Sequence, residues 1–355
     1  MARAKGFQGI VGRKKASTWG TAVVPATSDG IYVTSLDTPF NTARINNNQI
    51  TGIVTRRAPM VGAREGTVNL KTHLRYEGNE VDIALGLGTA GAPSTVDTTG
   101  KQHVLKLKDD IEGIFATLAY ELVKDTKVIE IPSYQTRKVM LSGQAKGEMN
   151  LEIEGIGDDW NDASASNTTT TIDSITLPSN NEIALFSQLA FQMNAQGGGS
   201  LSASDAVYLS GIELTIERAL EGRVSTERGT KISQPVPTDF AKVTGKLSFP
   251  CIDTGTGGNY AFMAAQLAGT AYKAKIILTS PTLAGAATQY YQHVLWLPYI
   301  VFGDGKKGID GAGAPTWEIP IECHHVGTIP TGFTAGYTGA VTWEVFSQRS
   351  TDALA

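Results

Sequence analysis

The segments TRRAPMVGARE (residues 55–65), GTVNLKTHL (66–74) and NEVDIALGLGTA (79–90) return later, in changed wording and the same order. The second set is STERGTKISQPVP (225–237), GKLSFPCI (245–252) and NYAFMAAQLAGTA (259–271). Each set reads as a polar loop, a strand opening with glycine, a short helix and a Gly-Thr-Ala stop. Val68 and Leu70 alternate with Asn69 and Lys71, the period of a half-buried strand. Val81, Ala84, Leu85 and Leu87 then fall at helical spacing, and Gly88 supplies the C-terminal stop. The sets lie about half a chain apart, so the repeat predicts two tandem domains, residues 1–165 and 166–355. Each is expected to be mainly β with one short flanking helix.

Composition agrees. A chain of 355 residues can bury two cores, and 41% hydrophobic against 18% charged residues describes a folded protein. Its 39 glycines suit frequent turns between strands. A net charge of -4 argues against nucleic-acid binding by bulk charge. Two cysteines, Cys251 and Cys323, are too few to staple a chain of this size and fit a reducing cytoplasm. A bond between them is left open. The basic opening MARAKGFQGIVGRKK lacks the apolar core of a signal peptide, and no apolar run approaches a membrane span. A soluble product of the cytoplasm is expected.

Between the repeated parts, strands are expected at 30–36, 103–108, 114–123, 139–141 and 148–153 in the first half. In the second they are expected at 183–193, 208–218, 273–279, 293–301, 317–324 and 341–346. GIGDDWNDASASNTTTT (155–171) breaks the pattern and reads as an interdomain linker. Residues 37–65 and 219–238 read as long polar loops, and long loops inside compact domains tend to be functional.

Catalytic and ligand motifs are weak. GLGTAG (86–91) has dinucleotide-fingerprint spacing but follows a helix, without a surrounding βαβ unit, so it reads as the helix stop. Cys323, His324 and His325 are adjacent, and neighbours in a strand point to opposite faces, so no metal site is expected there. No nucleophile elbow or phosphate loop occurs. The pairs Asp109–Asp110 and Asp158–Asp159 read as solvated turn charges. The expectation is a protein with no catalytic activity, cofactor or metal.

The charged loops carry the candidate site. Arg44, Arg56, Arg57, Pro59 and Arg64 mark the first, and Arg223, Arg228, Lys231, Pro235 and Pro237 the second. No stacking aromatic lies between Arg44 and Glu65 or between Arg223 and Pro237, and Glu65, Glu221 and Glu227 dilute the charge, so protein contacts fit better than nucleic acid. The extended N-terminal arm, fixed by Trp19 and Pro25, is also expected to pack on a partner surface.

Taken together these residues resemble the tail tube (major tail) proteins of long-tailed bacteriophages. In GIVGRKKASTWGTAVVPA (9–26), Thr18, Gly20, Thr21 and Pro25 occupy the places of that family's N-terminal pattern. Ala16 stands where an acidic residue is usual. The arginine-bearing loop, glycine-opened strand and helix before Gly-Thr follow in both halves. The resemblance implies two tandem tail-tube-like β-sandwich or barrel domains, whose strands join an inner barrel around a channel. It also implies trimeric, pseudo-hexameric rings stacked into a tube that delivers DNA. Implied partners are other copies of the chain, terminator and baseplate proteins, and a tape measure protein in the lumen, with DNA only in transit. The protein would be made in the bacterial host and reside in the virion. A tail terminator or baseplate ring protein is the alternative. A carbohydrate-binding β-sandwich is a weaker one, since Trp19, Trp160, Trp296, Trp317 and Trp343 are scattered.

Overall fold

A computed structural model describes residues 9–46, 58–89, 91–123, 127–162, 172, 174–253, 259–286, 288–305 and 317–354. It is mainly β. The first half contains β1 (Val11–Lys15), β2 (Ser35–Asp37), β3 (Phe40–Ile45), β4 (Met60–His73), α1 (Glu80–Leu87), β5 (Ser94–Thr95), β6 (Lys101–Lys106), β7 (Ala116–Val123), β8 (Lys127–Gln144), β9 (Met149–Gly157) and β10 (Asn161–Asp162). The second contains β11 (Leu189–Ala195), β12 (Gly211–Glu217), β13 (Leu220–Glu221), β14 (Val236–Pro237), β15 (Lys242–Phe249), α2 (Ala261–Ala268), β16 (Tyr272–Leu283), β17 (Tyr290–Phe302), β18 (Trp317–Cys323) and β19 (Thr342–Ser347).

Strand neighbours run β1–β7–β8–β9–β4 in the first half, with β2 and β3 on the other edge of β4. In the second they run β11–β16–β17–β18–β15–β12. The order matches position for position, with a helix after β4 in one and after β15 in the other. Both helices end on a left-handed glycine, Gly88 at φ 77° and Gly269 at φ 63°, a conformation that costs glycine little.

Two ladders join the halves. β8 pairs antiparallel with β12 from Lys138↔Glu217 to Gln144↔Gly211, and β6 pairs with β19 from Lys101↔Ser347 to Lys106↔Thr342. Leu70 of β4, Leu141 of β8, Leu151 of β9, Leu214 of β12, Leu247 of β15 and Ile319 of β18 are buried in one cluster that draws on both halves. An eight-residue helix is marginal alone, and α1 is held by this packing. All of its residues are buried. Asp82 receives both a second nitrogen of Arg13 at 2.9 Å and the Arg13 Nε, tying α1 to β1.

Three expectations change. The strand expected at 30–36 reduces to a single bridge at Gly30, opposite Gly12, and the short β2. The described parts of the first expected loop are the paired arms of a hairpin, β3 and the N-terminal half of β4, while residues 47–57 lie outside the described residues. Polar composition reported its exposure on both faces, and backbone pairing needs no apolar face. The expected linker begins as strand, because Gly155–Gly157 closes β9 against β4. Residues 163–171 lie outside the described residues.

Candidate functional site

Six strands from the two halves, β4–β9–β8–β12–β15–β18, form one continuous antiparallel run. Directly opposed residues share a face, so the registers define rows across it. One row reads Asn69, Glu154, Lys138, Glu217, Lys242, and the next reads Lys71, Glu152, Met140, Thr215, Thr244, Glu322. A third reads His73, Asn150, Ser142, Glu213, Lys246, Pro320. The reverse face carries the buried core. The polar face is therefore built by simple alternation along each strand.

Its charges are mixed. Lys71, Arg137, Lys138, Lys242 and Lys246 offset Glu152, Glu154, Glu213, Glu217, Glu318 and Glu322, leaving the face close to neutral. Lys71 Nζ lies 2.9 Å from Glu152, and Lys246 Nζ 3.4 Å from Glu318. Arg137, at a bulge in β8, bonds Glu154. Two open depressions lie on the face, one lined by Gln144, Asn150, Glu213 and Lys246, the other by Asn69, Lys71, Lys138 and Glu154.

The loop after β12 folds back against the first half. Its ends pair as β13 and β14, and Val224 bridges Ile232. Lys231 Nζ reaches Asp159 at 2.5 Å, and Arg228 Nη2 reaches Asp158 Oδ2 at 3.2 Å. Arg64 N–H donates to Thr230 O at 2.7 Å, and its guanidinium lies 4.0 Å from Asp159. Trp19 Nε1 donates to Ile232 O at 3.1 Å, while Arg228 Nη1 donates to Trp19 O at 3.0 Å. Gly20, at φ 79°, lets the arm pass here, since a Cβ would sit 2.0 Å from the Arg228 guanidinium.

Asp158 and Asp159 are thus the centre that the sequence hid. Both were expected as solvated turn charges, yet both are buried. Asp158 also accepts the Ser133 N–H at 3.0 Å. Its burial outweighs these partners and pushes its carboxyl up to about 6. Two aspartates after a strand carry no local sign of burial, which comes from the returning loop. Asp109 and Asp110 are exposed as expected.

The predicted site residues separate accordingly. Arg64, Arg228 and Lys231 meet within the chain. Trp19 joins them and packs edge-on against Phe115 at 5.3 Å between ring centroids. Pro25 is buried beside Gly12, and Pro235 is buried in the loop. Arg44, Pro59, Arg223 and Pro237 are exposed, Arg223 only 3.8 Å from Glu221. Arg56 and Arg57 lie outside the described residues. Ile45, Met60 and Val61 are more than half exposed near the end of the β3–β4 hairpin.

The family model for phage tail tube protein matches residues 6–335. The chain belongs to that family. It is a structural component of a phage tail, and tail tube proteins act by assembling. A search of curated proteins finds no matching relative. The continuous polar sheet face and the exposed β3–β4 hairpin are the broad surfaces the chain offers. Cys323 is buried, its thiol pushed up to about 12, between the exposed Glu322 and His324. Gly86 to Gly88 forms the end of α1, with Gly88 N–H bonded to Ala84 O.

Proposed function

We propose that the chain is a duplicated tail-tube unit, divided near residue 165, and that three copies form a pseudo-sixfold ring. Rings stack into the tube that conducts phage DNA. The observation that carries this reading is the near-neutral polar face running without a break through strands of both halves. As the channel wall it would neither retain DNA by counterion release nor repel it strongly. The matching strand orders support the duplication, because equivalent units repeat equivalent contacts around a ring. Terminator and baseplate proteins, and a tape measure protein in the lumen, are the expected further partners.

The exposed β3–β4 hairpin, with Arg44 and Pro59, and the exposed Arg223 and Pro237 are assigned to contacts between subunits or rings. Arg64, Arg228, Lys231, Trp19 and Pro25 act from inside the chain, by setting the angle at which these loops leave it. Electron microscopy of the purified protein tests the proposal: tubes with threefold rings are expected. Closed rings that never stack would favour a terminator or baseplate role.

A further inference from the structure

The helices α1 and α2 stand at the same place in the two strand orders, yet only α1 is covered. Arg218, at the end of β12, caps it: Nε donates to Gly86 O at 3.1 Å and Nη2 to Leu87 O at 2.9 Å. That is a cation on the negative end of a helix, supplied across the midpoint of the chain. In α2 only Phe262 and Ala265 are buried. Ala261, Ala264 and Ala268 are exposed, and Leu267 is 84% exposed. Leu267 and Ala268 precede Gly269 as Gly86 and Leu87 precede Gly88. Their carbonyls have no hydrogen-bond partner among the described residues.

The strand registers identify a counterpart to Arg218. Gly245 faces Leu214 in β12, and Arg218 follows four residues later. Gly66 faces Phe40 in β3, and Arg44 follows four residues later along β3, past a bulge whose extra residue lies in β4 between Arg64 and Val61. The Arg44 side chain is exposed and has no partner among the described residues. Among the described residues, an unpartnered cation and an uncapped helix end therefore follow the same landmarks in opposite halves.

We propose that α2 docks on β3 of a second copy of this chain, whose Arg44 caps Leu267 and Ala268 as Arg218 caps Gly86 and Leu87. The arginine cap between copies repeats the arginine cap between halves. It buries the exposed apolar face of α2, and it is head to tail, the kind of contact that closes a ring or runs on as a filament. The inference rests on the ring reading above and specifies which face of one copy meets which face of the next.

Two chains test it, both carrying Cys251→Ser to remove the exposed thiol, one with Thr42→Cys and one with Leu267→Cys. Thr42 shares a strand face with Arg44, so the arginine is kept. Mixed under assembly conditions and treated with a short bis-maleimide, they should give a covalent dimer that neither chain gives alone. Adding Arg44→Ala should reduce the yield about tenfold, and Arg44→Lys should restore part of it. Leu267→Asp, at an exposed position, should leave the monomer folded by circular dichroism and block assembly. Rings that form without the cross-link, or a Leu267→Asp chain that assembles normally, would overturn this contact and leave the ring reading standing. An unsubstituted chain that stays monomeric at high concentration would overturn both.

Discussion

Arg228, in the loop after β12, holds its Nη2 3.2 Å from Oδ2 of Asp158, a carboxylate with no exposed surface at the end of β9. The contact ties a loop of the second half to the first half and to the N-terminal arm, whose Trp19 carbonyl takes the other guanidinium nitrogen. Arg228→Ala leaves a buried carboxylate short of a charged donor, at a cost of about 2 kcal/mol. The denaturant midpoint should fall, and trypsin should cut within residues 219–238 sooner than in the parent. An unchanged cleavage rate would show that the loop is held by other means.

The same carboxylate gives a pH signature. Folded, Asp158 keeps its proton up to about pH 6, and unfolded it releases it near pH 4. Between these values the folded state binds more protons, so this group's contribution to stability falls as pH rises. His293 acts in the opposite sense. It is buried, with Nδ1 accepting from Trp343 Nε1 at 3.1 Å and Nε2 donating to Arg75 O at 2.9 Å, and burial lowers it to about 4. Unfolded, it takes up a proton near pH 6.5, so about 3 kcal/mol of stability is lost as pH falls from there to about 4. Relative to the parent, Asp158→Asn should steepen the rise of stability with pH, and His293→Gln should flatten or reverse it. Urea midpoints from pH 4.5 to 7 check both slopes.

Gly86 supplies a test of packing against helix propensity. Alanine is favoured over glycine in a helix by about 1 kcal/mol. A Cβ at Gly86, however, would lie 2.2 Å from Cγ2 of the buried Val139. Overpacking of that kind costs about 1–3 kcal/mol, so Gly86→Ala should be net destabilising by about 1 kcal/mol. Gly86→Ala with Val139→Ala should recover part of the loss in a denaturation cycle.

The polar sheet face predicts how the tube treats DNA. Glu213→Lys with Glu217→Lys shifts its balance by four charges towards positive. Assembled tubes of this variant should retain short duplex DNA at low salt and release it as salt rises, whereas parent tubes should retain little. Equal retention by both would remove this face from the channel wall.

Much of the fold was legible in the sequence because periodicity reports local burial. The alternation in β4, β9 and β12 and the glycine stops of both helices depend on neighbours in the chain. The site was less legible. Arg64, Arg228 and Lys231 were visible as loop cations, but their anchor was not, because the burial of Asp158 and Asp159 depends on a loop more than sixty residues away returning to cover them. The role of Arg218 was hidden similarly, since capping is a property of the helix it reaches, across the midpoint of the chain.

In the ring reading proposed above, the polar face of β8 and β12 lines the channel. Assembled tubes carrying Thr215→Cys with Cys251→Ser test it most directly, with a small maleimide and a bulky polyethylene glycol maleimide applied before and after assembly. Both reagents should label the free chain, and assembly should protect Thr215→Cys from the bulky reagent while the small one still enters. Equal bulky labelling of intact tubes, or a protein that never assembles, would contradict it.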